Sequence, residues 1–85
     1  MTILHVGAAL HPGEVLIEYL GFHRWTPRHL AELTKLPIET VQGVCDGTAP
    51  ITEEIATELE AVLHRPKGWW LRLQANYDRR RIDAR

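Results

Sequence analysis

The chain has little with which to do covalent chemistry. It contains no serine and a single cysteine, Cys45, so it offers neither a serine nucleophile nor an internal disulfide framework. Cys45 falls where a helical pattern points inward, and a lone thiol there reads as a small core residue in a reducing compartment. Carboxylates are plentiful, but none pair in a cleft-like loop where an acid and a base would work together. The sequence therefore predicts no enzyme and no small-molecule substrate. Long apolar runs are absent too. The opening TILHVGAAL has no basic start and is interrupted by His5 and Gly7, which fits neither a signal peptide nor a membrane span and points to a cytoplasmic protein with no membrane partner. The five histidines, His5, His11, His23, His29 and His64, lack the paired helical or Cys-x-x-Cys spacing of a metal site, so no metal and no cofactor are expected. Excess charge of one sign is missing as well. The net charge is −1 with histidines neutral, and that sum argues mildly against a phosphate-binding protein.

What is present is one modest core. Eighty-five residues at 45% apolar and 25% charged have the composition of a single globular domain, with neither an internal repeat nor a linker. Charge is unevenly placed. Glu53, Glu54, Glu58 and Glu60 gather in one segment, and Arg72, Arg79, Arg80, Arg81 and Arg85 gather near the C-terminal end.

Apolar periodicity divides the chain into helices. Residues 1–10 alternate loosely and fit either an extended arm or a short strand. A first helix opens at His11-Pro12-Gly13-Glu14, with Val15, Leu16, Tyr19 and Leu20 as its buried stripe and Gly21 as its end. Phe22 and Trp25 are the aromatic plugs of the following link. The segment TPRHLAELTKLPIETVQGVCDGTAPIT at 26–52 is the most informative. Thr26 can cap a helix whose first residue is Pro27, and Leu30, Ala31 and Leu33 give that helix an apolar side. A short break around Lys35 and Pro37 turns the chain. A further helix from near Pro37 turns Val41, Val44 and Cys45 inward and leaves Ile38, Glu39, Thr40, Gln42 and Gly43 outward. Asp46-Gly47 ends it. Thr52, followed by Glu53 and Glu54, starts a fourth helix with Ile55, Ala56, Leu59, Val62 and Leu63 inside. A fifth carries Trp69, Trp70, Leu73 and Tyr77 and dissolves into an Arg-rich tail. Helix, tight turn, helix is the pattern of a DNA-binding helix-turn-helix. The expected fold is all-α, with five helices, organised as an arm at 1–10, the helix-turn-helix domain at 11–78 and a basic tail at 79–85.

Four motifs in order, HPGEVL at 11–16, HLAELT at 29–34, DGTAPIT at 46–52 and WWLRLQANYD at 69–78, resemble the HigA-type antitoxins of the phage-repressor-like (Cro-like, XRE) helix-turn-helix group. That resemblance implies a homodimeric repressor that binds double-stranded operator DNA of its own operon and neutralises a small RelE-like, mRNA-cleaving toxin. It also implies dimerisation through the C-terminal helix, for which Trp69, Trp70, Leu73 and Tyr77 are the candidate interface residues. The apolar arm from Thr2 to Leu10 is a candidate docking strand or clamp for the toxin.

The second helix of such a domain crosses the DNA backbone, which makes Arg28, His29 and Lys35 phosphate-contact candidates. Thr40 and Gln42 are candidate base readers, and Glu39 can accept from a cytosine amino group. Relatives of this type usually carry Gly at the turn, Ser at the recognition-helix cap and Arg or Gln outward. Here Lys35, Pro37 and Glu39 stand in that region, and Gly43 weakens the helix by roughly 1 kcal/mol. Two rival readings follow: a protein-interaction module whose DNA surface has degenerated, or a phage-type repressor with no toxin partner.

Overall fold

The computed structural model describes residues 11–83, with side chains described through residue 80. They form five α-helices: α1 Pro12–His23, α2 Pro27–Thr34, α3 Ile38–Asp46, α4 Glu53–Leu63 and α5 Lys67–Asp83. No strand occurs among the described residues, and no helix there is long and apolar enough to cross a membrane. The all-α, five-helix arrangement expected from the periodicity is the one adopted. Residues 1–10 lie outside the described residues.

Local chemistry sets most helix starts. Thr26 Oγ1 accepts the His29 N–H at 3.1 Å, and Thr52 Oγ1 accepts the Ile55 N–H at 3.3 Å, so each threonine satisfies one amide that a helix N-terminus leaves unpaired. α1 uses a less common cap. The buried His11 ring accepts the Gly13 N–H on Nδ1 at 2.9 Å. Its neutral tautomer therefore carries the proton on Nε2.

Packing follows from which side chains these helices bury. α2 lies on α3 and α4, α1 on α3 and α5, and α4 on α5. Leu16 and Leu20 of α1, Leu30 of α2, Val41 and Val44 of α3, Leu59 of α4 and Trp70 of α5 share one core. Gly13 allows α1 to approach α3, because a Cβ there would collide with the Val44 carbonyl. Gln74 joins the loop before α4 to α5: its Oε1 accepts the Ile51 N–H at 2.8 Å, and its Nε2 donates to Asp78 at 2.9 Å.

Several positions differ from the sequence reading. α1 does not end at Gly21. It runs to His23 and ends with Arg24 in the left-handed region at φ 60°, closed by Trp25 N–H to the Leu20 carbonyl at 2.8 Å and Arg24 N–H to that of Gly21 at 3.2 Å. The added turn carries Phe22 about 200° around from Leu20, so it is 84% exposed and plugs nothing. Leu33 is exposed as well. Its neighbour Thr34 is buried instead, because its hydroxyl donates to the Leu30 carbonyl at 2.8 Å and accepts the Leu36 N–H at 3.3 Å. At the C-terminal end, helix α5 continues to Asp83, past the boundary at 78 where the sequence suggests a tail.

Candidate nucleic-acid interface

The pair α2 and α3 is joined by three residues. Lys35 makes the turn in the left-handed region at φ 63°, its N–H bonded to the Ala31 carbonyl at 2.8 Å. A side chain in that region is strained where glycine is not. The preference for glycine at this turn therefore has a physical basis, and the chain holds a lysine there regardless. Pro37 precedes α3 and offers no side-chain cap. Glu39 in the first turn supplies negative charge against the positive end of the helix dipole, which gives that residue a structural role whatever it touches outside.

The outward side of α3 holds Glu39 and Gln42, both exposed, and the half-buried Thr40, while Val41, Val44 and Cys45 are buried as expected. Two residues assigned outward are not free. Ile38 packs against the core. Gly43 is half-buried, and a Cβ there would meet the Ala49 Cβ at 3.0 Å. The Gly43 carbonyl also gathers the Thr48 and Ala49 N–H groups at 2.9 and 3.1 Å and the Thr48 hydroxyl at 3.2 Å. The glycine that weakens α3 is thus where the following loop folds back onto it. Gln42 is partly engaged, since its Nε2 donates to Asp46 Oδ1 at 3.0 Å. Sequence reasoning missed Asp46 as a member of this face. The signal was its spacing of four residues from Gln42, one helical turn.

On the α2 side, Arg28 is exposed in the first turn. His29 lies 3.7 Å from Glu32 and edge-on to Trp25 at 5.3 Å. The structure thus brings Arg28, His29 and Lys35 to one helix and its ends, and Glu39, Thr40 and Gln42 to the next. Among the described residues no group of three or more His, Cys, Asp or Glu is placed to hold a metal ion. Burial pushes the Cys45 thiol above its ordinary value, with the nearby Asp46 carboxylate acting in the same direction, so the thiol stays protonated.

The four aromatic and apolar residues assigned to a dimer interface separate. Trp70 is fully buried in its own chain and cannot anchor a partner; it points about 100° away from Trp69 around α5. Trp69, Leu73 and Tyr77 are half-buried. Trp69 lies under the Arg65 guanidinium at 4.6 Å, and Arg65 Nε donates to the Tyr19 hydroxyl at 2.7 Å. Tyr77 meets the His11 ring edge-on at 4.8 Å.

Solved structures with this architecture include an addiction module antidote protein of the HigA family from Coxiella burnetii. It is 32% identical, with 86% of this chain and 80% of that chain covered at a TM-score of 0.84. The Pseudomonas aeruginosa antitoxin HigA, solved with the higBA promoter, is 28% identical over 82% of this chain and 77% of that one, at a TM-score of 0.81. Another Pseudomonas aeruginosa protein, in complex with its operator DNA, is 28% identical over 88% and 82%, at 0.86. No protein-family model and no curated protein sequence matches the chain.

Proposed function

This chain belongs to the HigA family of antitoxins, and from that premise we propose that it is an operator-binding repressor that acts in the cytoplasm as a homodimer and neutralises a small RelE-like toxin. The observation that carries the DNA reading is the α2–α3 pair. α3 keeps Glu39, Thr40 and Gln42 outward on a helix whose other side is buried, in a fold shared with relatives solved on promoter and operator DNA.

In the proposed mechanism α3 enters the major groove and α2 crosses the backbone. Gln42 pairs with an adenine after leaving Asp46, an exposed hydrogen bond whose net worth is about 1 kcal/mol. Thr40 touches a base edge or phosphate, and Arg28, His29 and Lys35 position the helix on the phosphates. Two such helices related by a two-fold axis meet half-sites about 34 Å apart. Trp69 and Leu73 on the half-covered side of α5 supply the interface between copies. The mechanism is binding and promoter occlusion, without catalysis.

Fluorescence anisotropy against the duplex upstream of its own reading frame, with a scrambled duplex beside it, tests the DNA reading. Discrimination between the two is expected. Asp46→Ala, which frees the Gln42 amide and removes a carboxylate facing the groove, is expected to tighten binding. Light scattering tests the homodimer, and co-purification with the product of the adjacent reading frame tests the toxin. If neither duplex binds and the neighbour co-purifies, the protein-interaction reading replaces the repressor.

A further inference from the structure

The outward face of α3 presents carboxylates at Glu39 and Asp46 and no cation, yet duplex DNA is held chiefly by neutralising phosphates. The cations of this region lie around α2 instead. Both ends of that helix are flanked by basic residues in the left-handed region, Arg24 at φ 60° before it and Lys35 at φ 63° after it. Each also closes a helix C-terminus, where a cation is favoured by the dipole, and His64 does the same at the end of α4. What separates Arg24 is its surroundings. The next residue, Trp25, has its ring stacked on His23 at 4.4 Å with an interplanar angle of 19° and set edge-on to His29 at 5.3 Å. Phe22 meets His23 edge-on at 5.3 Å. The α1–α2 corner is therefore a ledge of rings, with Phe22 and His23 exposed and Trp25 and His29 half-buried, in which the exposed Arg24 stands next in the chain to His23 and Trp25 and which runs on into the exposed Arg28. The carboxylate on this side of α2, Glu32, lies beside His29.

We propose that this ledge, with Arg24 exposed between the stacked His23 and Trp25 in the chain, is a second phosphate contact that extends the clamp of Arg28 and Lys35 along the backbone of the bound duplex. The inference rests on α3 being the groove-reading helix. It assigns the sequence-independent part of the affinity to a corner outside the helix-turn-helix proper. Its position is continuous with the first turn of α2, and its charge is complementary to phosphate. The Arg24 backbone is held by its own N–H bond to Gly21 and by that of Trp25 to Leu20, so little loop ordering remains to be done on binding.

The left-handed position supplies a clean variant. Arg24→Gly removes the cation and installs the residue that this backbone conformation favours, so a binding defect cannot be ascribed to unfolding, and a melting curve taken alongside confirms it. Binding of the full chain to the upstream and scrambled duplexes is measured between 50 and 200 mM salt. Arg24→Gly is expected to weaken binding to both duplexes and to reduce the slope of log K against log salt by about 0.9, with Arg24→Lys keeping the wild-type slope. Gln42→Ala is expected to reduce discrimination and keep the slope. If wild type discriminates and Arg24→Gly leaves affinity and slope unchanged, Arg24 is a helix cap and the ledge proposal is wrong while the operator reading stands. If Arg24→Gly loses discrimination with an unchanged slope, the residue reads bases and the phosphate assignment is overturned. If wild type binds no duplex at low salt, the operator reading and the ledge fall together.

Discussion

Helices α3 and α4 follow one another in the chain and are built in opposite ways. α4 is specified by its own sequence: Thr52 caps it, Glu53 and Glu54 stand in its first turn, and Ile55, Ala56, Leu59 and Leu63 line its buried side. α3 has no side-chain cap, a glycine in its interior and a turn before it held by a strained lysine. Its neighbours hold it in place. Gly13 brings α1 onto the Val44 carbonyl, and the loop after α3 folds back onto Gly43. A helix supported from behind and at its end asks little of its outward residues: Glu39 faces the dipole and Gln42 holds Asp46, and neither carries the packing of α3. Local rules broken in one element and met in the next are what a functional surface looks like in an otherwise self-consistent fold.

Breaking the support of α3 should have the largest effect. Gly13→Ala forces a methyl into the Val44 carbonyl and is expected to cost about 2–3 kcal/mol in urea unfolding; an unchanged midpoint would mean that α1 does not hold α3 this closely. The caps sharpen the contrast. Thr52→Ala should cost about 1 kcal/mol, whereas Pro37→Ser, which gives α3 the cap it lacks, should gain about 0.5 kcal/mol. A loss at Pro37 would show that the rigid turn matters more than the missing cap. Gly21→Ala tests the extent of α1. Inside a helix with open space around it, the alanine should stabilise by about 0.5–1 kcal/mol, and a destabilised variant would return the helix end to Gly21.

A smaller effect belongs to pH. Burial holds His11 below its ordinary value of 6.5, opposed by Glu14, Asp78 and the Ala49 backbone. The unfolded chain therefore takes up this proton at a higher pH than the folded one. The contribution of His11 is complete above about pH 6.5 and is lost as pH falls through its lowered folded value. His11→Asn, which can still accept the Gly13 N–H, should flatten that part of the stability profile; equal pH dependence in both proteins would assign it to other groups.

The parts legible in the sequence were those that short-range chemistry fixes. Thr26 and Thr52 as caps, Pro27 at a first helical position, Gly47 as the left-handed end of α3 and the inward set Val41, Val44 and Cys45 all follow from residue type and spacing. What escaped depended on contacts between distant segments or on a backbone choice that residue type does not announce. Gly21 looks like a helix end, yet the left-handed residue is Arg24. Leu33 looks more buried than Thr34 until the hydroxyl finds Leu30 and Leu36. Gly43 looks outward until Ala49 arrives from the loop, and adjacent tryptophans do not say which of them faces the core. In the candidate interface, the spacing put Arg28 on α2, Lys35 in the turn after it and Glu39 and Gln42 on α3, and the fold has them there. Asp46 beside Gln42 was within reach of the four-residue spacing, whereas the ring contacts around Arg24 became visible only with the fold.

The most direct test of α3 as a reading head is a single-base substitution scan of the upstream duplex, run with wild type and with Gln42→Ala. The account predicts that wild type shows sharp base preferences in each half-site and that the variant loses them at one position per half-site while its salt slope is unchanged. Preferences identical in the two proteins, or a uniform loss across all positions, would contradict it.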